Sequence, residues 1–221
     1  MNESFWFPVQ LSILVASIAT GLVFVIGIVF ARWFTLKSFK GKLLWETLFL
    51  LPLVLPPSVI GFLLIIVFGA NSWIGRTYEA IFDSSIVFTP VAAVLAALVV
   101  AYPLMFQSAK AGFLSIDRDI EGAARVDGAS EWRVLVSVVI PLAKRSLLVG
   151  AVLSFTRALG EFGATLMFAG NIPERTQTIP TAIYIALESG DTGLAFAYVF
   201  ISVASAFVLL TIVQLGNKRH A

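Results

Sequence analysis

The sequence has no cysteine among its 221 residues. Disulfides are therefore excluded, and the redox compartment is left unspecified. There is a single histidine, His220. A histidine-rich metal centre and a Ser-His-Asp triad of the usual kind are both excluded, and no metal site is expected. Charge is scarce: 13% of the residues are Asp, Glu, Lys or Arg, against about 25% in an ordinary soluble domain. With 59% of the chain hydrophobic, the composition argues for an all-α membrane protein of several spans rather than a water-soluble fold. No Gly-x-x-x-x-Gly-Lys-[Ser/Thr] phosphate loop is present, so ATP and other bound cofactors are not expected on this chain. Nothing points to a nucleic-acid partner. The start, Met1-Asn2-Glu3-Ser4, lacks the basic stretch of a cleaved signal, and the first apolar run is expected to stay attached.

What is abundant is apolar length. Four runs carry no charge: Ser4–Ala31, Thr47–Gly75, Ser84–Ala109 and Thr192–Asn217. Each exceeds the roughly 20 residues a helix needs to cross a bilayer. A fifth run, Ser146–Phe168, carries Arg157 and Glu161. We read five spans at about 9–31, 47–69, 88–109, 146–168 and 193–216, within one domain of residues 1–221. Trp6, Phe7 and Trp33 flank the first span as interface aromatics. Thr89-Pro90 suits the cap and first turn of the third. Residues 181–188 read as a helix too short to cross.

One long charged stretch interrupts this pattern, at residues 111–141. From Lys110 to Arg145 it holds six basic residues and five acids. Asp117 can cap a short helix. On that helix Ile116, Ile120, Ala123 and Ala124 share one face, and Asp119, Glu121 and Arg125 lie off it. Glu121 and Arg125 form a favourable i,i+4 pair. Gly128 suits the left-handed position after a helix end. Ser130 can cap a second short helix, and Pro141 is expected to break the run before the fourth span. Taken alone, the stretch is either a solvated connection or a surface offered to a partner in water.

The stretch Glu121-Gly122-Ala123-Ala124-Arg125-Val126-Asp127-Gly128, continued to Val138-Val139-Ile140-Pro141, resembles the cytoplasmic coupling loop of ABC importer permeases. That pattern is Glu-Ala-Ala, three residues, Gly, nine residues, Ile-x-Leu-Pro. Ala123, Ala124, Gly128 and Pro141 match it. Gly122 stands where the pattern has Glu, and the acid comes one place earlier, at Glu121. The charge distribution supports the same topology. Twelve of the 15 basic residues fall in loops on the side of the coupling stretch, Arg32 and Arg219 among them. Arg76 and Arg175 fall on the other side, and Arg157 lies in a span. The positive-inside rule then puts the N-terminus outside and the coupling loop and C-terminus in the cytoplasm.

Two spans depart from plain helices. Leu51-Pro52-Leu53-Val54-Leu55-Pro56-Pro57-Ser58 cannot be an undisturbed helix, because each proline removes a donor and clashes with the preceding turn. Such a break at depth belongs in protein or beside a wet cavity. Both a packing kink and a path-lining role fit. In the fourth span a charge at mid-bilayer costs roughly 2.5–3.5 kcal/mol. Arg157 and Glu161 therefore face inward, four apart and able to pair, either to fix helix packing or to line a path. Gly160 and Gly163 bracket Glu161 and weaken the helix there.

These segments are also similar to a known branch. Residues 50–61, Arg157-Ala158-Leu159-Gly160-Glu161-Phe162-Gly163-Ala164-Thr165 and Asn171-Ile172-Pro173 with 176–184 resemble the molybdate/sulfate branch of ABC importer permeases, on its molybdate side. The resemblance implies a type I importer permease of about five transmembrane helices in the cell membrane, working as a homodimer with the path between two copies. It implies a cytoplasmic ABC ATPase dimer that holds ATP and Mg, and an extracytoplasmic molybdate-binding protein. Coupling would fall to Glu121, Gly122, Ala123, Ala124, Gly128 and Pro141. Candidates for the path are Pro56, Pro57, Ser58, Arg157, Glu161, Gly163, Thr165 and Asn171. A tungstate or sulfate/thiosulfate permease is the alternative within the class. A stand-alone secondary transporter would leave the coupling loop unexplained, and an intramembrane enzyme lacks a nucleophile–base pair.

Overall fold

A computed structural model describes residues 3–218, with side chains from 4 to 211. Arg219 and His220 lie outside the described residues. The helices are α1 (Glu3–Leu36), α2 (Lys42–Val54), α3 (Pro57–Phe68), α4 (Trp73–Phe82), α5 (Pro90–Leu114), α6 (Arg118–Val126), α7 (Glu131–Val134), α8 (Ile140–Leu159), α9 (Gly163–Phe168), α10 (Ile179–Glu188) and α11 (Thr192–Lys218). Four stretches are long and apolar enough to cross alone: Ser4–Leu36, Pro90–Leu114, Glu131–Leu159 and Thr192–Thr211. A fifth span forms if α2 and α3 are counted as one crossing bent by 118°.

The core is the packing of α1, α5 and α8. It is built on small residues: Ala92, Ala93, Ala96, Ala97, Ala101 and Ala109 of α5 are all fully buried. In a bilayer, small side chains let backbones approach closely, and dispersion contacts then hold the helices. The approach is tight where α8 crosses α5. A Cβ on Gly150 would lie 2.6 Å from the Cβ of Ser108. At the same contact the buried Ser154 hydroxyl donates to the Ala101 carbonyl at 3.2 Å. At the Leu36 end of α1, Phe34, Phe49 and Phe106 meet edge to face or tilted, with centroids 5.3–5.5 Å apart. On the opposite side, the Ile179 amide donates to Ser12 at 2.8 Å and fastens α10 to α1.

The break in the second crossing has a local cause. A residue before proline is pushed out of the α region. Leu55 precedes Pro56, and Pro56 precedes Pro57. Both are extended, at ψ 141 and ψ 138. Pro57 then opens α3 at the first turn, where its missing donor costs nothing.

The fourth crossing differs from its sequence reading at both ends. Pro141 does not break the run: helical structure continues from Glu131 to Leu159. Residues Leu135–Val139 form a π-turn, and the Ile140 amide bonds back to Leu135. The wider turn gives the proline ring room, and its missing N–H falls where the bonding reverts to i−4. At the other end the helix stops at Leu159 rather than running on to 168, and α9 restarts at Gly163. The glycines flanking Glu161 mark that second break.

Candidate functional site

The coupling stretch folds as two short helices joined by a tight turn. Asp117 accepts from the Asp119 amide at 3.0 Å and caps α6. Ser130 caps α7 by accepting from the Arg133 amide. Gly128 closes the turn at φ +86, with open space where a Cβ would point. Its glycine is thus required by backbone conformation, not by crowding.

The apolar face read for α6 is split: Ile116 and Ala124 are half-buried against the core. Ile120 and Ala123 are exposed, whereas Glu121, placed off the apolar face, is buried. The reason is Arg32. The charge pattern puts it in a loop, yet it lies inside α1 and is itself buried. A buried cation needs a hydrogen-bonded counter-charge. Arg32 Nη1 donates to Glu121 Oε1 at 2.9 Å, and Nη2 donates to Oε2 at 2.7 Å. Arg125 Nη2 reaches the same Oε2 at 2.9 Å, and Arg125 Nε donates to Glu131 Oε1 at 2.6 Å. The Arg32 fork, supported by Arg125, holds the Glu121 carboxyl below the usual carboxylate range. Arg125 is correspondingly pushed up by its bonds to Glu131 and Glu121. A cavity of about 400 Å³ lies beside this network, lined by Arg32, Phe113, Leu114, Ile116, Arg118 and Arg125, among others.

The remaining coupling candidates divide. Ala124 is half-buried against the core, Gly122 has open space at its Cβ position, and Pro141 is exposed in the first turn of α8. Ile120 and Val126 of α6 and Trp132 of α7 are exposed apolar side chains on these two helices.

The path candidates gather elsewhere. Pro141 and Arg157 are sixteen residues apart on α8, about 24 Å at 1.5 Å per residue. There the two broken crossings meet. A Cβ on Gly163 would lie 2.7 Å from that of Pro57, and one on Gly61 would lie 2.8 Å from that of Met167. Thus α3 and α9, the helices that restart after each break, pack backbone against backbone. Pro56, Pro57 and Ser58 are exposed beside this contact. Arg157 Nη1 donates to Glu161 Oε2 at 2.7 Å, and Glu161 Oε1 accepts from the Ala164 amide at 2.8 Å. Glu161 thereby satisfies both the cation at the end of α8 and an orphan donor at the start of α9. Thr165 is buried on α9, and its carbonyl takes the Ala169 and Gly170 amides. Asn171 follows, with a buried Oδ1 that has no partner. Glu161 and Arg157 act first as a splice across the break. Beside them Pro56, Pro57, Ser58, Val59 and Met167 are exposed.

Sequence reasoning missed Arg32, Glu131 and the Gly61–Met167 contact. Arg32 had a faint signal: it directly follows an apolar run and keeps the helical register of buried Ile28 and Ala31.

Residues 23–220 match the family described as the binding-protein-dependent transport system inner membrane component. A Bacillus subtilis protein, YvgM, whose name as a molybdenum transport system permease is provisional, is 55% identical over 218 residues, covering 99% of this chain and 96% of its own. The Escherichia coli K12 molybdenum transport system permease protein ModB is 40% identical over 214 residues, covering 96% of this chain and 93% of its own. Among solved structures, a bacterial ABC transporter for alginate import superposes with a TM-score of 0.73 at 17% identity, covering 99% of this chain and 79% of that one. The inward-facing MetNI methionine ABC transporter gives 0.72 at 14% identity, with each chain covered in full. At these identities the superpositions speak to the fold, which is that of type I ABC importer permeases.

Proposed function

This chain belongs to the family of binding-protein-dependent transport system inner membrane components, and on that premise we propose that it carries molybdate across the membrane as the permease subunit of an ATP-driven importer. It is a transport subunit, and ATP hydrolysis belongs to a separate protein. The observation that carries the substrate is near-full-length identity of 55% and 40% to molybdenum transport permeases. The geometry is consistent with that work. A helix tied to the cytoplasmic end of α1 carries exposed apolar side chains, and two broken crossings meet about 24 Å along α8.

In this reading two copies enclose the path. A cytoplasmic ATPase dimer, carrying ATP and Mg, receives the two α6–α7 units. An extracytoplasmic binding protein delivers the oxyanion to the outer face, around residues 171–191. The N-terminus is outside. Closure of the ATPases draws the coupling helices together and rocks the spans from inward- to outward-facing. Molybdate is a dianion, and stripping its water entirely is prohibitive. A wet route past hydroxyls and backbone donors, without a tight cationic site, allows release once the binding protein has selected the ion.

The test is the molybdenum content of cells with and without this chain, grown on trace molybdate and challenged with excess tungstate or sulfate. Loss of molybdenum on deletion, restored by the gene and competed by tungstate but not sulfate, supports the proposal. Unchanged molybdenum with lost sulfur uptake moves the substrate to sulfate.

A further inference from the structure

We infer that Arg32 is the positioning residue through which movement of the coupling helix reaches the membrane helices, its two-pronged bond to Glu121 acting as a strut between α6 and α1. This inference rests on the permease reading above.

Four observations lead to it. First, the pair is buried at both ends and bidentate, at 2.9 and 2.7 Å. Such a fork fixes direction as well as distance. Arginine also keeps its charge at any physiological pH. Second, the other charged contacts of the loop are exposed: Arg125 and Glu131 keep 37% and 60% of their side-chain surface, against 8% and 9% for Arg32 and Glu121. Exposed pairs contribute little, so one contact dominates. Third, α6 is not seated on a solid apolar floor. The cavity of about 400 Å³ lies between it and the end of α5 at Phe113 and Leu114, with Ile116 of the connection also lining it. Of the apolar residues of α6, Ala124 packs against the core while Ile120, Ala123 and Val126 are exposed, and the ion pair forms part of the cavity wall. Fourth, Arg32 stands beside fully buried Ala31 and near Phe34, whose ring meets Phe49 of α2 and Phe106 of α5. A displacement of the Arg32 side chain is handed to three crossings at once. Arg125 continues the network through Glu131 to α7 at the surface.

A buried ion pair has a second, purely static role, because removing one partner strands the other charge. The two roles separate in a double variant. Arg32→Gln with Glu121→Gln removes both charges and strands neither.

The experiment uses the complex of this chain with its ATPase in proteoliposomes, with molybdate-loaded binding protein added. Two readouts are taken: the ratio of hydrolysis with and without loaded binding protein, and molybdate uptake. The expected result is a double variant that co-purifies with the ATPase but loses roughly tenfold in uptake, with the hydrolysis ratio falling toward one. Arg32→Lys, which keeps the charge but not the fork, is expected to assemble and to fall between the double variant and wild type. Wild-type uptake and hydrolysis ratio in either variant would overturn the strut. A wild-type complex that accumulates no oxyanion at all would overturn the permease reading and the strut with it, so the two failures are distinct.

Discussion

Replacing Glu161 tests whether the break in the fourth crossing is held together by one side chain. Its carboxylate takes Arg157 at 2.7 Å and the Ala164 amide at 2.8 Å, and its side chain is 2% exposed. Glu161→Ala strands the cation and orphans the amide. Removing one partner of a buried pair costs about 3–5 kcal/mol. Arg157 keeps 32% of its side-chain surface, so water screens part of that, and about 2–3 kcal/mol is expected in total. Arg157→Ala leaves the more deeply buried carboxylate with one donor, for a loss of about 3 kcal/mol. The double change strands no charge but still orphans the Ala164 amide, so it loses only about 1–2 kcal/mol. Glu161→Gln keeps an acceptor oxygen for that amide and falls between wild type and Glu161→Ala. The assay is thermal unfolding of the purified protein, where 1 kcal/mol shifts Tm by about 2–4 °C for a chain of this size. A double variant less damaged than either single is the expected result. Additive losses would refute the pairing and assign the two residues separate roles.

Three further outcomes follow from the same geometry. Gly128 sits at φ +86 in open space, so only strain opposes a side chain there, about 1–2 kcal/mol. Uptake per ATP should fall in the order Gly, Asn, Ala, Val, with insertion intact in all four, and equal uptake by Gly128→Val would remove the turn from the coupling argument. Gly61→Ala places a Cβ 2.8 Å from Met167 Cβ and 3.2 Å from Ala164 Cα. It should cost about 1–3 kcal/mol by overpacking and lower Tm, whereas an unchanged Tm would mean that α3 and α9 slide freely. Glu121 is held below the ordinary carboxylate range, first by Arg32 and then by Arg125. Its stabilisation is therefore complete above that range and is lost as pH falls through the depressed value. Amide protection across residues 118–126 should stay level from neutral pH down to the ordinary carboxylate range and drop only below it. Protection that weakens on raising the pH would contradict the sign.

The parts of the fold that could be read in the sequence are those where one residue type forces the backbone. Pro56 and Pro57 require extended neighbours wherever they sit, so the break in the second crossing was legible. Gly160 and Gly163 weakened the helix around Glu161 in the same local way. Asp117 and Ser130 announced their helices because a cap acts over two or three residues. The π-turn at Leu135–Val139 was not legible, since no residue in it demands the wider geometry and Pro141 alone reads as a stop. Nor was the Arg32–Glu121 pair, whose partners are 89 residues apart. Periodicity put Glu121 in water because it sees only one helix, and a cation arriving from another helix reverses that placement. The contact of Gly61 with α9 was hidden for the same reason. A small residue records that something comes close, not which segment does.

If this chain is the membrane path of an ATP-driven molybdate importer, it should work only with its partners. The decisive measurement reconstitutes the chain with its ATPase in vesicles that enclose ATP and Mg, adds molybdate-loaded binding protein outside, and reads the molybdenum trapped in the lumen. Accumulation that requires ATP, the ATPase and the binding protein together is expected. Accumulation by the chain alone, unaffected by ATP, would contradict it and assign the chain to transport driven by the ion gradient.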